Sequence, residues 1–187
     1  MRIISGHFKG KKILEPKDKE TRPLKDLTKE SIFNILNHSK KFKVKIENSL
    51  VLDLFSGIGS FGLECLSRGS KYVTFVENYN GVLPILKKNL SNLKLDNKYE
   101  IIEENLFVDF NYKKFFNKFD IIFLDPPYKE TKINIIFDNL FKNKILNNDG
   151  IIIIHRHKKD NGEYSKNFKV LEEKKYGISK ILFGTLN

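Results

Sequence analysis

Between Val51 and Gly62 an apolar run, Val51-Leu52-Asp53-Leu54-Phe55, breaks into Ser56-Gly57-Ile58-Gly59-Ser60-Phe61-Gly62 and then resumes at helical spacing. A strand, a glycine turn and a helix in immediate succession constrain the fold more than any other feature. Such a strand is apolar on both faces and is stable only inside a sheet covered by helices. A second stretch has the same form: Ile121-Ile122-Phe123-Leu124 is a buried strand that stops at Asp125-Pro126-Pro127-Tyr128. In open parallel sheets ligands collect beyond the carboxyl ends of the strands, so the two endings are expected to face one crevice.

The rest of the chain alternates in the same way. Strands are predicted at Leu50–Leu54, Tyr72–Val76, Glu100–Glu103, Phe119–Leu124 and Ile151–Ile154. Between them lie helical patterns at Ser60–Arg68, Gly81–Leu95 with Pro84 in the first turn, a weak one near Asp109–Asn117, and Ile133–Asn143. Asp26 to Asn37 gathers Leu27, Ile32, Phe33, Ile35 and Leu36 near one helical face, with Asp26 or Thr28 as the expected cap. Phe168–Lys174 and Lys180–Leu186, joined around Tyr176-Gly177, predict a closing antiparallel hairpin. Right-handed crossovers make this one doubly wound sheet. The five central strands suit almost any Rossmann-like protein, and the terminal hairpin narrows the expectation to an α/β, Rossmann-like, seven-stranded class I methyltransferase sheet. Met1 to Leu14 alternates around Gly6 and Gly10 and predicts a small basic β-hairpin ahead of it. The expected division is residues 1–25 as a basic extension and linker and 26–187 as the main domain.

A chain of 187 residues buries a substantial core. No apolar stretch approaches the roughly 20 residues of a membrane span, and the first residues do not lead into a signal-peptide core, so the expected location is cytoplasmic. A single cysteine, Cys65, excludes an intrachain disulfide or a cysteine-cluster metal site, and its apolar neighbours predict a packed small hydrophobe. The net charge of +11 suits a polyanionic partner such as nucleic acid, against a background of lysine that accumulates on solvated faces.

The glycine loop satisfies G-x-G-x-x-G, with Glu77 ending the next strand. Glycines let the backbone turn sharply against a ligand, and an acidic residue at that strand end accepts from ribose hydroxyls. This much supports a nicotinamide or flavin nearly as well as S-adenosylmethionine. Asp53 tilts the reading, because a carboxylate there repels a pyrophosphate yet suits an aminoacyl ammonium. Expected cofactor contacts are Asp53, Phe55, Ser56, Gly57, Gly59, Glu77 and Asn78, with Asn105 on the adenine edge and Leu106 on the ring.

Asp125-Pro126-Pro127-Tyr128 has no role in hydride transfer but suits methylation of an amino nitrogen. An exocyclic amine on a base is a poor nucleophile because its lone pair is delocalised. Acceptors at the Asp125 carboxylate and the Pro126 carbonyl favour a pyramidal nitrogen, Pro126 and Pro127 hold the backbone, and Tyr128 stacks on the base, a contact worth roughly 1–3 kcal/mol. His155 and His157 follow the next strand; their spacing puts two imidazoles on one face, where a metal or, more simply, solvent or phosphate is the expected company.

With these residues in place the chain resembles the bacterial 16S rRNA guanine-N2 methyltransferases. The likeness runs through Arg2-Ile3-Ile4-Ser5-Gly6, Phe8-Lys9-Gly10-Lys11-Lys12, Thr21-Arg22-Pro23, Asp26, Glu30-Ser31-Ile32-Phe33-Asn34-Ile35-Leu36, Asp53 to Gly59, Glu64, Ser67-Arg68-Gly69, Val76-Glu77, Asp125 to Tyr128 and Tyr176-Gly177. The Asp-Pro-Pro-Tyr loop alone is shared with adenine and glutamine N-methyltransferases; the amino-terminal block points to the rRNA family. The chain departs from that pattern at Leu24, Lys25 and Leu27, and at His155, where the family commonly has Glu. The resemblance implies methyl transfer from S-adenosylmethionine to the N2 amino group of a guanine in small-subunit rRNA; a compact chain with only a small basic extension cannot enclose a large RNA, so assembled or assembling particles are the expected substrate. Arg2, Lys9, Lys11, Lys12 and Arg22 are the expected phosphate contacts. No metal and a monomer are expected. An N-methyltransferase of adenine or of protein glutamine, or a non-catalytic RNA-binding assembly factor, stays open at this point.

Overall fold

The computed structural model describes residues 1–16, 24–95, 97–115 and 117–187. Its centre is a seven-stranded sheet in the order β3-β2-β1-β4-β5-β7-β6. The strands are β1 (Leu50–Leu54), β2 (Tyr72–Val76), β3 (Tyr99–Ile102), β4 (Phe119–Leu124), β5 (Leu146–His157), β6 (Phe168–Tyr176) and β7 (Ser179–Leu186). The first five are parallel to their neighbours, and β7 runs antiparallel between β5 and β6. Helices are α1 (Asp26–His38), α2 (Ser60–Ser67), α3 (Leu83–Ser91) and α4 (Ile133–Lys142).

The period of two along each strand sorts the core into two layers. Val51, Ile121, Phe123, Ile151 and Ile153 face α1, α2 and α3. Leu52, Leu54, Ile122, Leu124, Ile152 and Ile154 face α4 and the segment before β4. In the first layer Phe33 of α1 stacks on Phe61 of α2 at 5.2 Å, and Phe61 stacks on Phe123 of β4 at 4.1 Å. A ladder of rings thus ties the first helix to the sheet beneath the glycine turn.

Three local expectations are corrected. The residue before α1 is Lys25, with no side-chain cap, so Asp26 sits inside the first turn, where its charge suits the helix dipole. The weak helix near Asp109–Asn117 is a 3-10 turn at Tyr112–Lys114, closed by the Asn111 side chain accepting from Lys113 N–H. The fifth strand runs on to His157, because antiparallel pairing with β7 carries it past the apolar stretch.

The amino-terminal hairpin is one antiparallel bridge, Arg2 with Lys12, supported by Ile3 N–H to Lys11 O and Gly10 N–H to Ile3 O. Ile3 and Ile13 are buried in the same cluster as α1 and α2. Glu64 of α2, fully buried, holds the segment: its carboxylate accepts the N–H groups of Ile4 and Ser5, pairs with Arg68 at 2.9 Å, and lies 3.6 Å from the buried Lys29 ammonium. Lys29 in turn donates to Arg2 O. Among the described residues no helix is long and apolar enough to cross a membrane.

Candidate active site

At the carboxyl ends of β1, β2 and β4 lies a cavity of about 720 Å³. Asp53, Phe55, Ser56, Gly57, Glu77, Asn78 and Asn105 line it, and so do Asp125, Pro126, Pro127 and Tyr128. The two strand endings therefore face one crevice, because β1 and β4 are direct neighbours in register, Leu54 beside Leu124.

The turn after β1 places Phe55, Gly57 and Gly59 all at positive φ, 58°, 54° and 82°. For Phe55 this is a costly conformation, held by the strand before it and the helix after it. Gly59 is absent from the cavity wall; its N–H closes the turn on Ser56 O at 2.7 Å, and a Cβ there would meet Leu86 at 2.6 Å. Gly62 serves packing, since a Cβ would meet Phe75 of β2 at 2.3 Å.

Two carboxylates organise this turn. Glu77 accepts from Gly57 N–H at 2.7 Å, Asn78 N–H at 2.9 Å and Tyr79 N–H at 2.8 Å, so its charge is held against the glycine loop. Asp53 accepts Gly62 N–H at 2.9 Å through Oδ2, while its buried Oδ1 has no hydrogen-bond partner among the described residues. Burial pushes the Asp53 carboxyl well above the usual carboxylate range; the Gly62 amide works against this, and Asp125 and Glu77 add to it. An unsatisfied, acid-rich wall of this kind suits a cationic ligand and disfavours a phosphate. The residues present therefore fit S-adenosylmethionine, whose ammonium would meet Asp53 and whose ribose would meet Glu77.

Beyond β3, Asn105 lines the cavity with its side-chain oxygen accepting Phe107 N–H at 2.8 Å. Leu106, expected on the ring, is instead buried in the second core layer. The Asn105 turn sends successive side chains to opposite sides, and Phe107 is the one on the cavity wall, 5.6 Å from the Phe55 ring.

The Asp125–Tyr128 loop is supported from β5. Register sets Leu124 beside Ile154, which brings Asp125 next to His155. His155 is buried, not solvated as expected: Nδ1 lies 2.8 Å from Asp125 Oδ1 and Nε2 lies 2.8 Å from Ser179 Oγ of β7. Tyr128 meets the rings of His155 and His157 edge-on, at 5.8 and 5.4 Å, so the two imidazoles do share one face. No group of metal-binding side chains occurs among the described residues. Arg156, which the sequence did not single out, is buried and donates to the carbonyls of Pro127, Tyr128 and Glu130. Asp160 pairs with it at 2.7 Å; although burial works the other way, the Arg156 hydrogen bond holds that carboxyl below its usual range. A single arginine between apolar strands carries no sequence pattern that marks it as a loop clamp.

Arg2, Lys9, Lys11 and Lys12 are exposed together on the amino-terminal hairpin, with the Lys11 ammonium 4.9 Å from the Phe8 ring. His7 N–H and Phe8 N–H bond to Ser67 at the end of α2. The second limb returns toward the glycine turn, because Leu14 pairs with Asn89, which also donates to Ile58 O. Leu24 then lines the cavity itself. Arg22, with Thr21 and Pro23, lies outside the described residues. Cys65 is fully buried and burial lifts its thiol, in keeping with a packing role.

Residues 1–185 match the family described as Conserved hypothetical protein 95. Ribosomal RNA small subunit methyltransferase D of Haemophilus influenzae is 34% identical over 180 residues, covering 95% of this chain and 90% of its own length. The crystal structure of HI0767 from Haemophilus influenzae has a TM-score of 0.74 at 32% identity, covering 100% of this chain and 98% of its own. The solved structure of yhhF from Escherichia coli reaches a TM-score of 0.78 at 26% identity, with the same coverage. The sheet order, the glycine turn and the Asp-Pro-Pro-Tyr loop agree with these likenesses across the whole chain, which belongs to the Conserved hypothetical protein 95 family of S-adenosylmethionine-dependent methyltransferases.

Proposed function

We propose that the chain methylates the N2 amino group of a guanine in small-subunit rRNA. The observation that carries this reading is the placement of Asp125 on the wall of the cavity that Asp53 and Glu77 also line. Bound S-adenosylmethionine supplies a methyl carbon on a cationic sulfur, already a strong electrophile. The protein's task is therefore to present a nitrogen lone pair in line with it.

Asp125 accepts one amino N–H of the extruded base, the Pro126 carbonyl accepts the other, and Tyr128 covers the base plane. With the methyl group passed from sulfur to nitrogen, the nitrogen would become acidic, and Asp125 or water would take its proton. Asp53 and Glu77 hold the cofactor with Phe55, Ser56, Gly57, Asn78 and Asn105 around it. Phe107 takes the ring contact proposed from sequence for Leu106. Arg2, Lys9, Lys11, Lys12 and Arg22 meet phosphates outside the pocket. A small basic extension on a compact domain favours a substrate whose RNA is already arranged, as in assembled or assembling 30S particles.

The test is transfer of labelled methyl to unmodified small subunits, naked rRNA, DNA and a protein extract, with nucleoside analysis. N2-methylguanosine from rRNA is the expected product. Label in DNA or protein would overturn the substrate; no label with cofactor bound would favour a binding factor.

A further inference from the structure

We propose that His155 is a positioning residue for Asp125: its Nδ1–H holds Oδ1 and leaves Oδ2 for the amino group of the substrate. The inference rests on the methyl-transfer reading above and assigns that site a residue from a third strand.

The argument starts from the carboxylate. An ionised carboxylate only accepts hydrogen bonds, so at 2.8 Å from Asp125 Oδ1 the His155 Nδ1 must carry the proton. In a neutral imidazole Nε2 is then the acceptor, and Ser179 Oγ, 2.8 Å away, is the group that donates to it. Ser179 opposes His157 across the β5–β7 ladder, so its hydroxyl is placed by strand pairing and not by a mobile loop. Burial of His155 and Ser179 keeps water from competing for either bond. Asp125 itself follows a strand end but precedes two prolines, and among the described residues its backbone bond is the long one from its N–H to Leu54 O at 3.3 Å. Without His155 its side chain would be free to turn about χ1 and χ2. The same ring meets Tyr128 edge-on, so one imidazole sets both the acceptor and the stacking surface. Neighbouring Arg156 fixes the loop's carbonyls, a separate function that leaves the Asp125 carboxylate untouched.

Four variants of the full chain, assayed for methyl transfer to rRNA with kcat and KM resolved, test this. His155→Phe keeps the ring volume without the bond, and kcat should fall about 100-fold, the scale of a misplaced reacting group, with cofactor Kd unchanged. His155→Asn puts an amide N–H near the Nδ1 position and should recover kcat to within about tenfold of the parent. His155→Gln, which reaches toward Ser179 instead, should not recover it. Ser179→Ala is the mildest change and guards against a His155 variant that does not fold; its kcat should drop about tenfold with KM unchanged. Imidazole 15N shifts of the unmodified chain read the bond apart from the reaction, and a protonated Nδ1 is expected. An Nδ1 without a proton would overturn the role, as would a parental kcat in both His155→Phe and Ser179→Ala. An unmodified chain that labels no substrate while Nδ1 is protonated would instead overturn the methyl-transfer reading and leave the Asp125–His155 bond a structural one.

Discussion

Asp53 at the end of β1 caps α2 from across the glycine turn: its Oδ2 accepts the N–H of Gly62 at 2.9 Å. The cap of α2 proper is Gly59, which has no side chain to offer, so the strand supplies what the helix start lacks. One carboxylate thus joins the helix to the cavity wall: one oxygen holds α2, and the other is buried with no hydrogen-bond partner among the described residues.

Replacing Asp53 by Asn should separate these two roles. The amide oxygen still accepts Gly62 N–H, so the fold should survive. Loss of the charge should weaken S-adenosylmethionine binding by about 2–3 kcal/mol, roughly 30- to 150-fold in Kd, measurable by calorimetric titration. Unchanged affinity would remove Asp53 from the cofactor site.

Because burial raises the Asp53 carboxyl above its unfolded value of about 3.9, folding takes up a proton there. That contribution to stability is full below the unfolded value and is lost as pH rises through the folded one. A cationic cofactor reverses the balance by favouring the ionised form. Binding should therefore release a proton from Asp53, and the cofactor-induced rise in Tm should be larger at pH 7, where the ligand's ammonium is still protonated, than at pH 5.5. Calorimetry in buffers of different ionisation enthalpy would read the sign directly; net proton uptake would refute it.

Asp125→Ala should cost transfer without costing cofactor. Removing one preorganised polar group of this kind lowers kcat by about 100-fold or more. Kd for S-adenosylmethionine should stay within about threefold, since the proposed mechanism gives Asp125 to the amino group of the substrate and Asp53 and Glu77 to the cofactor. Parallel loss of both would reassign the residue.

Gly62→Ala places a Cβ 2.3 Å from Phe75 and 2.9 Å from Val73, so α2 must move off β2. Overpacking of this kind costs about 1–3 kcal/mol and should lower Tm by several degrees, with the cofactor affinity falling as Asp53 loses its alignment.

Glu64→Ala should loosen the amino-terminal segment. It leaves two amides, of Ile4 and Ser5, without their acceptor and takes away the carboxylate 3.6 Å from the buried Lys29 ammonium, which keeps its bond to Arg2 O. Breaking a buried pair in this way costs about 3–5 kcal/mol. Trypsin should then cut at Lys9, Lys11 or Lys12 faster than in the parent. Retained protection would show that Ile3 and Ile13 alone hold the hairpin in place.

By itself the sequence determined the elements and the two loops. β1, β2 and β4 fall where the apolar runs lie, and the glycines and the Asp-Pro-Pro-Tyr turn mark the ends that face the cavity. Those signals are local: period-two burial, glycine at positive φ and proline rigidity act within a few residues and are written in order along the chain. Tertiary structure decided what those loops lean on. His155 reaches Asp125 across 30 positions of sequence and Arg156 reaches Pro127 across 29, through a register between β4 and β5 that no spacing encodes. The turn at Asn105, which buries Leu106 and turns Phe107 to the cavity, is likewise settled by packing, because either apolar side chain suits either place until the second core layer is filled. Glu64 reads as an ordinary helix carboxylate until Ile4, Ser5 and Lys29 close around it, since pairing of buried charge is a property of the assembled fold.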